Sequence, residues 1–261
     1  MMRRISLLLL LVGPGLLARA EPSAETIERG RQVYIAEGCI NCHSQYVRPL
    51  PADAERWGPT RPLAEALDHA PQLGNRRQGP DLQNVANRRP REWQRLHLVA
   101  PRTVTPGSRM PAYAALFAGD GGRGEALLDY LDSLGSGTMA ARWTAAQDWT
   151  PRAIADADPI AGREHYLAFC AGCHGAEGRG NGELAAQLPV PPRNLVSGPW
   201  IYQPVDADPA SARVALARLI KFGVPGSAMT GHEYLSDAEI LTLTDYVQKL
   251  RRAGSVTPTP S

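Results

Sequence analysis

Phenylalanine, long apolar runs and spare cysteines are all scarce in this sequence. Only three of its 261 residues are Phe, which excludes a core rich in aromatic rings and leaves room for a bound non-protein group to supply apolar bulk. The longest apolar run, residues 5–17, has 13 residues, whereas a membrane-spanning helix needs about 20. The 25 Gly and 23 Pro favour long irregular connections over continuous sheets.

The first twenty residues are typical of a secretory signal peptide. Arg3 and Arg4 precede the apolar run, and Ala20 ends an Ala-Arg-Ala cleavage pattern. We therefore predict that residues 1–20 are removed on export to the periplasm. The alternative is an uncleaved anchor that holds the chain on the inner membrane, facing the periplasm.

The charge of the exported chain is close to balanced. Removal of Arg3, Arg4 and Arg19 leaves 25 basic against 26 acidic side chains, so bulk charge gives no support for nucleic-acid binding. The stretch 76–109 is locally basic, with eight arginines against two acidic residues. We expect a solvated face there, with a docking patch for an acidic partner as the alternative.

The sequence contains a loose internal repeat. Its first copy reads GRQVYIAEGCINCH, GPDL, SRMPAY and ALLDYLDSL, and its second reads GREHYLAFCAGCH, PPRNL, SAMTGH and TLTDYVQKL. Each copy predicts an opening helix that ends in CxxCH, a long loop with a proline turn, a methionine in a loop, and a closing helix. We expect domains over 21–138 and 159–252, a linker at 139–158 that packs on a domain, and a disordered tail at 253–261.

The periodicity of both copies indicates a mainly α fold, and neither copy shows alternating strand segments. The small and apolar positions at helical spacing are Gly30, Val33 and Tyr34, then Leu127, Leu128, Leu131 and Leu134, then Gly162, Tyr166 and Leu167, and finally Ile240, Leu243, Val247 and Leu250.

All four cysteines fall in the two CxxCH motifs, Cys39, Cys42 and His43 in the first copy and Cys170, Cys173 and His174 in the second. On a helical turn the two thiols and the imidazole project from one face, where the thiols can add to the vinyl groups of one haem and the histidine can bind its iron. A zinc site would need the two distant pairs to converge, and a thioredoxin-like dithiol would need a βαβ setting. The repeat favours two covalently bound haems c.

Each copy also holds one methionine in a loop before its closing helix. Met110 and Met229 occupy equivalent places and are the predicted second axial ligands, opposite His43 and His174. Met139, in the predicted linker, is interpreted as a packing residue. His97, His165 and His232 are interpreted as structural, although His232 could replace Met229.

Carbonyl groups of the proline turns are candidates to orient the two ligand histidines. We predict that Pro80 accepts a hydrogen bond from His43 and that Pro192 accepts one from His174. Haem propionates could pair with Arg48, Arg109 and Arg193.

The two-copy pattern resembles class I c-type cytochromes joined in tandem. Within the first copy, HSQYVRPL and HLVAPRTVTPGSRMPAY closely resemble the mono-haem subunit II of cbb-type haem-copper oxidases, over roughly residues 30–117. The second copy resembles a generic class I cytochrome c domain. The resemblance implies a His43/Met110 haem in a few helices, and electron transfer toward an oxygen-reducing subunit.

These features lead to two main functional hypotheses, and a third, a haem-based sensor or assembly protein, is one that nothing in the sequence demands. The first is an electron carrier that receives electrons from a cytochrome bc complex or a small redox carrier and passes them to a terminal oxidase, as its donor or as a subunit. The second is an enzyme, either a di-haem peroxidase or a sulfur-compound dehydrogenase. The enzymes need one haem with an open coordination position, whereas each copy here keeps its own methionine.

Overall fold

The computed structural model describes residues 21–60, 77–119, 121–135, 137, 139–152, 158–200, 208–224 and 227–255. The predicted signal peptide lies outside these ranges, as does most of the predicted tail. Residues 253–255 continue the last helix, so the regular structure ends later than the predicted start of the tail. None of the helices in the described ranges is long and apolar enough to cross a bilayer.

The described residues form a mainly α structure, as the sequence predicted, and contain no strand beyond an isolated bridge between Gly223 and Thr230. Their α-helices are α1 (Ala24–Ala36), α2 (Pro51–Trp57), α3 (Arg91–Val99), α4 (Pro101–Val104), α5 (Arg123–Ser133), α6 (Met139–Asp148), α7 (Pro159–Phe169), α8 (Ala171–His174), α9 (Pro209–Phe222) and α10 (Asp237–Ser255). Short 3₁₀ turns lie at Cys39–Asn41, Ala114–Phe117 and Ala185–Gln187.

The first core forms where α1 crosses α5. At the crossing, a Cβ on Gly30 would lie 1.9 Å from the Ala126 carbonyl oxygen, so only glycine allows the two backbones to come this close. One helical turn later, the rings of Tyr34 and Tyr130 pack with centroids 5.6 Å apart. The buried members of this core are Val33, Tyr34, Val85, Leu98, Leu116, Leu127, Leu128, Tyr130, Leu131 and Leu134.

The second core repeats this arrangement where α7 crosses α10. A Cβ on Gly162 would lie 3.0 Å from the Thr242 carbonyl oxygen, and the rings of Tyr166 and Tyr246 are 5.2 Å apart. Its buried members are Tyr166, Leu216, Ala217, Ile220, Leu235, Ile240, Leu241, Leu243 and Val247. Below, the first unit means helices α1–α5 with the segments that join them, and the second unit means helices α7–α10 with theirs.

Side-chain caps define where several helices begin. Ser23 accepts from the Thr26 amide at the start of α1, and Asp158 accepts from the Ile160 amide at the start of α7. At the start of α10, Ser236 and Glu239 accept from each other's backbone amides, which is a capping box.

Helix α9 was not predicted, because the loop before Met229 was expected to be irregular. Two local signals mark this helix. Asp208 caps the Ala210 amide at 3.0 Å, and Pro209 occupies the first helical position, where its missing amide hydrogen costs nothing. Leu216 and Ile220 are four residues apart and enter the second core.

The predicted linker contains α6 and packs on the second unit through Arg142 and Trp149. The Trp149 and Phe222 rings pack edge to face with centroids 5.8 Å apart, and the Trp149 backbone carbonyl accepts a hydrogen bond from Arg218 at 2.7 Å. Trp143 is 46% exposed, so it does not share this role. The side chain of Met139 lies outside the described residues.

Within the arginine-rich stretch, Arg102 and Arg109 are exposed, as expected of a solvated face, but the other described arginines are buried or half-buried. Arg91 pairs with Glu125, Asp129 and Asp132, all on α5, with oxygens within 2.8 Å. Arg77 pairs with Asp53 at 2.5 Å. The partners were missed because they lie outside the stretch in the sequence and reach it only through the fold. Arg76 lies outside the described residues.

Candidate haem sites

The first CxxCH motif forms a tight turn directly after α1. Gly38 adopts a left-handed conformation (φ 72°), which ends the helix and starts the 3₁₀ turn at Cys39. The amides of Cys42 and His43 both donate to the Cys39 carbonyl, at 3.1 and 2.9 Å. The turn therefore brings the two thiols and the imidazole to one side of the chain.

The His43 ring is oriented by the proline turn, where we predicted its partner. Its Nδ1 lies 2.8 Å from the Pro80 carbonyl oxygen. Because a carbonyl can only accept, Nδ1 carries the proton and Nε2 keeps a lone pair for a metal. Burial lowers the pKa of His43, which favours the neutral ring. A Cβ on Gly79 would lie 2.3 Å from the ring, so the close approach requires glycine.

A buried carboxylate holds this proline turn in place. Asp81 is fully buried and accepts from the Ser44 hydroxyl at 2.5 Å, from the Tyr46 amide at 2.9 Å and from the Gln83 amide at 2.9 Å. These bonds tie the turn to the segment that follows His43. They therefore fix the Pro80 carbonyl relative to the imidazole.

The four predicted ligand residues of the first unit line one cavity. Cys39, Cys42, His43 and Met110 all border a space of about 610 Å³. Apolar side chains supply much of the remaining wall, among them Leu82, Val85, Leu98, Val104, Leu127 and Leu131. A concave, mostly apolar space with a few convergent polar groups is typical of a cofactor site.

The second CxxCH motif is more helical than the first. Residue 169, which stands where Gly38 stands in the first copy, is Phe, and α8 follows α7 after a single residue. The amides of Cys173 and His174 donate to the Cys170 carbonyl at 3.2 and 2.9 Å. The three side chains are thus arranged on one turn, as in the first unit.

The partner of His174 is Arg193, and the prediction of Pro192 was wrong. The His174 Nδ1 lies 2.9 Å from the Arg193 carbonyl oxygen. The Pro192 carbonyl points elsewhere, since a Cβ on Gly180 would lie only 2.5 Å from its oxygen. Burial lowers the pKa of His174, as it does for His43.

Met110 and Met229 lie in loops that share one local hydrogen bond. The Met229 amide donates to the Ser227 hydroxyl at 3.2 Å, just as the Met110 amide donates to the Ser108 hydroxyl at 3.2 Å. The two loops are therefore built alike. Unlike Met110, Met229 is not among the residues that line the cavity of the first unit.

Comparison with known proteins assigns both units. Residues 18–136 match the family described as cytochrome c oxidase, mono-heme subunit/FixO. Residues 160–251 match the family described as cytochrome c. The chain therefore joins two c-type cytochrome segments, of which the first is FixO-like.

Among solved structures, the chain aligns with one from the Kuenenia stuttgartiensis reducing HAO-like protein complex. The two are 19% identical, the match covers 85% of this chain and 96% of that one, and the TM-score is 0.31. A likeness this weak carries no argument about fold or function.

The geometry disfavours the two alternative uses of the cysteines. The described residues contain no group of three or more His, Cys, Asp or Glu that could hold a metal ion, so the two CxxC pairs do not converge on zinc. Burial raises the pKa of Cys39 to about 11 and that of Cys170 to about 12. A reactive dithiol needs the opposite shift, toward the thiolate.

Arg88, which was not among the predicted site residues, also lines the cavity of the first unit. The side chain is buried and lies over the Trp57 ring at 5.1 Å, and burial lowers its pKa to about 10. Its hydrogen bonds go to the carbonyls of Asp81 and Asn84, at 2.6 and 3.4 Å. Arg88 is therefore a candidate to pair with a carboxylate of a bound group through a charge-assisted hydrogen bond.

The three arginines predicted to pair with haem propionates lie in different surroundings. Arg48 is held by Asp53 through two bonds of 2.8 and 2.9 Å, which occupy its guanidinium. Arg109 lines the first cavity. Arg193 is exposed and contributes its backbone carbonyl to His174.

His97, His165 and His232, the other histidines in the described ranges, have structural contacts. The His97 ring stacks on Trp93 at 4.6 Å, and burial lowers its pKa to about 4. His165 stacks on Phe169 at 5.9 Å. His232 has its Nδ1 3.1 Å from the Ile220 carbonyl. His97 and His232 nevertheless both line the first cavity.

Proposed function

We propose that the chain binds two haems c and transfers electrons in a respiratory chain. The first haem is attached at Cys39 and Cys42, with His43 and Met110 as axial ligands. The second is attached at Cys170 and Cys173, with His174 and Met229 as axial ligands. The domains extend over 21–138 and 159–252.

One observation carries this proposal: two thiols, a neutral imidazole and a methionine converge on one largely apolar cavity in the FixO-like segment. Bound haem supplies one-electron redox chemistry. The two thiols would attach it, the imidazole and the thioether would bind its iron, and the apolar wall would exclude water. A histidine–methionine pair would raise its reduction potential. A carrier of this kind needs no open coordination position, which favours it over the peroxidase or dehydrogenase alternative.

The FixO match supports a terminal oxidase as the electron acceptor. We propose that the chain acts as donor to, or subunit of, a cbb-like oxidase, and that a cytochrome bc complex or a small redox carrier reduces it. Covalent haem attachment and the predicted signal peptide both favour the periplasm. An uncleaved N-terminus would place the chain on the inner membrane, with the same chemistry.

Oxygen uptake by membranes that contain a cbb-type oxidase tests this role. The purified chain, with its haems counted as pyridine haemochromogen, is supplied with a reduced small cytochrome. We expect the chain to accelerate oxygen uptake, and the Cys39→Ala/Cys42→Ala variant to lose this effect. The matched Cys170→Ala/Cys173→Ala variant shows whether the second unit is also needed. A chain that carries two haems but is not oxidised by the membranes would contradict the oxidase role.

A further inference from the structure

The wall of the first cavity is completed by the second unit. Five residues from beyond the linker line it together with the ligands of the first unit, and they are Phe169, Thr230, Gly231, His232 and Tyr234. The cavity therefore lies at the contact between the two units and is not enclosed by the FixO-like segment alone.

These lining residues are chain neighbours of the predicted ligands of the second haem. Phe169 directly precedes Cys170, and Thr230 directly follows Met229. Consecutive Cα atoms are about 3.8 Å apart. The residues that border the first cavity thus belong to the same short segments that would hold the second haem.

Three aromatic rings form the central part of this wall. The centroids of Phe169, His232 and Tyr234 are 6.0 Å apart in each of the three pairs. Rings at this spacing are in packing contact. The His232 ring is also held by the Ile220 carbonyl, so the cluster is anchored to α9.

A buried ionic cluster fixes the wall against the first unit. Glu233 lies between His232 and Tyr234 in the sequence and is 6% exposed. One of its oxygens pairs with Arg142 of the linker helix, and the other is 3.6 Å from Arg89 of the first unit. Arg142 also donates to the Phe222 carbonyl at 2.8 Å. The cluster therefore joins the first unit, the linker and the second unit.

The charges in this cluster favour an ionised Glu233. Burial alone raises the pKa of the carboxyl group, but the nearby Arg89, Arg142 and Arg88 outweigh it and hold the pKa below its usual value. Loss of the carboxylate would leave several guanidinium groups close together without an anion.

We infer that Phe169 and residues 230–234 form a wall shared by the two haem sites, and that Glu233, held by Arg89 and Arg142, positions this wall so that the two sites act as a coupled redox pair. This inference rests on the proposed function. The coupled step moves one electron from a ferrous iron, which becomes ferric, to a ferric iron, which becomes ferrous. No proton or atom is transferred, and the external donor and acceptor are redox proteins.

Electron paramagnetic resonance on the two-haem protein tests the shared wall. A ferric iron relaxes faster when a second paramagnetic iron is close. We expect each ferric signal to relax faster in the fully oxidised chain than in the half-reduced chain, where the other iron is diamagnetic. Glu233→Gln should remove this difference while leaving two haems per chain.

The matched control is Glu125→Gln. Glu125 also bridges two arginines, Arg91 and Arg95, but both lie within the first unit. We expect this variant to keep the wild-type relaxation difference. If Glu233→Gln does not accumulate, Arg142→Gln breaks the same cluster from the linker side and should have the same effect.

The outcomes separate the two proposals. A chain with two haems whose relaxation is independent of each other's oxidation state overturns the inference alone. The same holds if the wild-type difference is present but persists in both Glu233→Gln and Arg142→Gln. A chain with fewer than two haems overturns the proposed function, and the shared wall with it.

Discussion

At the scale of single residues, a backbone carbonyl orients each candidate ligand histidine. The acceptor is two residues before a leucine in both units, since Pro80 precedes Leu82 and Arg193 precedes Leu195. In each unit the residue between them is Asp or Asn, and its side chain accepts backbone amides to form the turn. The acceptor residue therefore need not be proline. An Asp or Asn followed by leucine marks its position in the sequence.

Replacing Met110, the predicted second ligand of the first haem, should change the reduction potential of that haem only. In Met110→His, we expect the reduction potential of the first haem to fall, because imidazole stabilises ferric iron more than thioether sulfur does. The second haem should keep its potential apart from the coupling inferred above, and serves as the internal control. A redox titration followed by optical absorption measures both. Equal shifts at both haems would contradict the assignment of Met110 to the first site.

Stability in acid should depend on Asp53. Arg48 and Arg77 hold the pKa of this mostly buried carboxyl well below its usual value, against the opposing effect of burial. The unfolded value is about 4, so the pair stabilises the fold above that pH and loses this contribution as the pH falls below it. We expect Asp53→Asn to be less stable than wild type at neutral pH, and the difference to shrink below about pH 4.

Denaturant unfolding at a series of pH values measures this difference. Glu177→Gln is the control, because Glu177 forms an ion pair with Arg179 in which both side chains are largely exposed. Exposed pairs contribute about 0–1 kcal/mol. A difference between wild type and Asp53→Asn that stays constant down to pH 3 would contradict the role of the carboxylate.

At the scale of secondary structure, each unit is organised by the crossing of its opening and closing helices. Glycine at the crossing lets the backbones approach, and a tyrosine four residues later packs on a tyrosine of the closing helix. The crossing is tighter in the first unit, where the space for a Cβ on Gly30 is already filled by the backbone of α5.

Adding a methyl group at the two crossings should therefore have graded effects. We expect Gly30→Ala to destabilise the protein by about 1–3 kcal/mol, because α5 must move and overpacking outweighs the better helix propensity of alanine. Gly162→Ala should cost less, since its Cβ would be 3.0 Å from the nearest atom. Thermal unfolding measures both.

Gly121→Ala is the control for these substitutions. Among the described residues, a Cβ there would meet only the Arg123 side chain, at 3.8 Å. We expect little change in stability. Gly30→Ala with wild-type stability would show that the crossing is not as tight as described.

The sequence allowed the opening and closing helices to be predicted, because their apolar residues recur every three to four positions. It also allowed the two CxxCH turns to be predicted, since these are local. The Pro80 acceptor lies 37 residues from His43 and was predicted from the proline turn that follows the motif in each copy of the repeat. Helix α9 was not predicted, because the repeat suggests a loop in this segment. Only the local start signal of Asp208 and Pro209 indicates a helix there. The ion pairs of Arg91 were missed because their partners are more than thirty residues away.

At the scale of the whole molecule, the two units share a boundary that neither copy of the repeat reveals. Phe169, His232 and Tyr234 belong to the second copy but border the cavity of the first. No periodicity or motif marks them, since their role depends on how the units pack. The same is true of Glu233, whose partners lie in the first unit and in the linker.

A redox-titrated absorption spectrum of the exported protein, extended into the near infrared, tests the central claim most directly. The account predicts two haems per chain, each with the near-infrared band of methionine-bound ferric iron and each undergoing one-electron reduction. One haem, or one such band, would contradict the assignment in one unit, and a protein without covalently bound haem would contradict it in both.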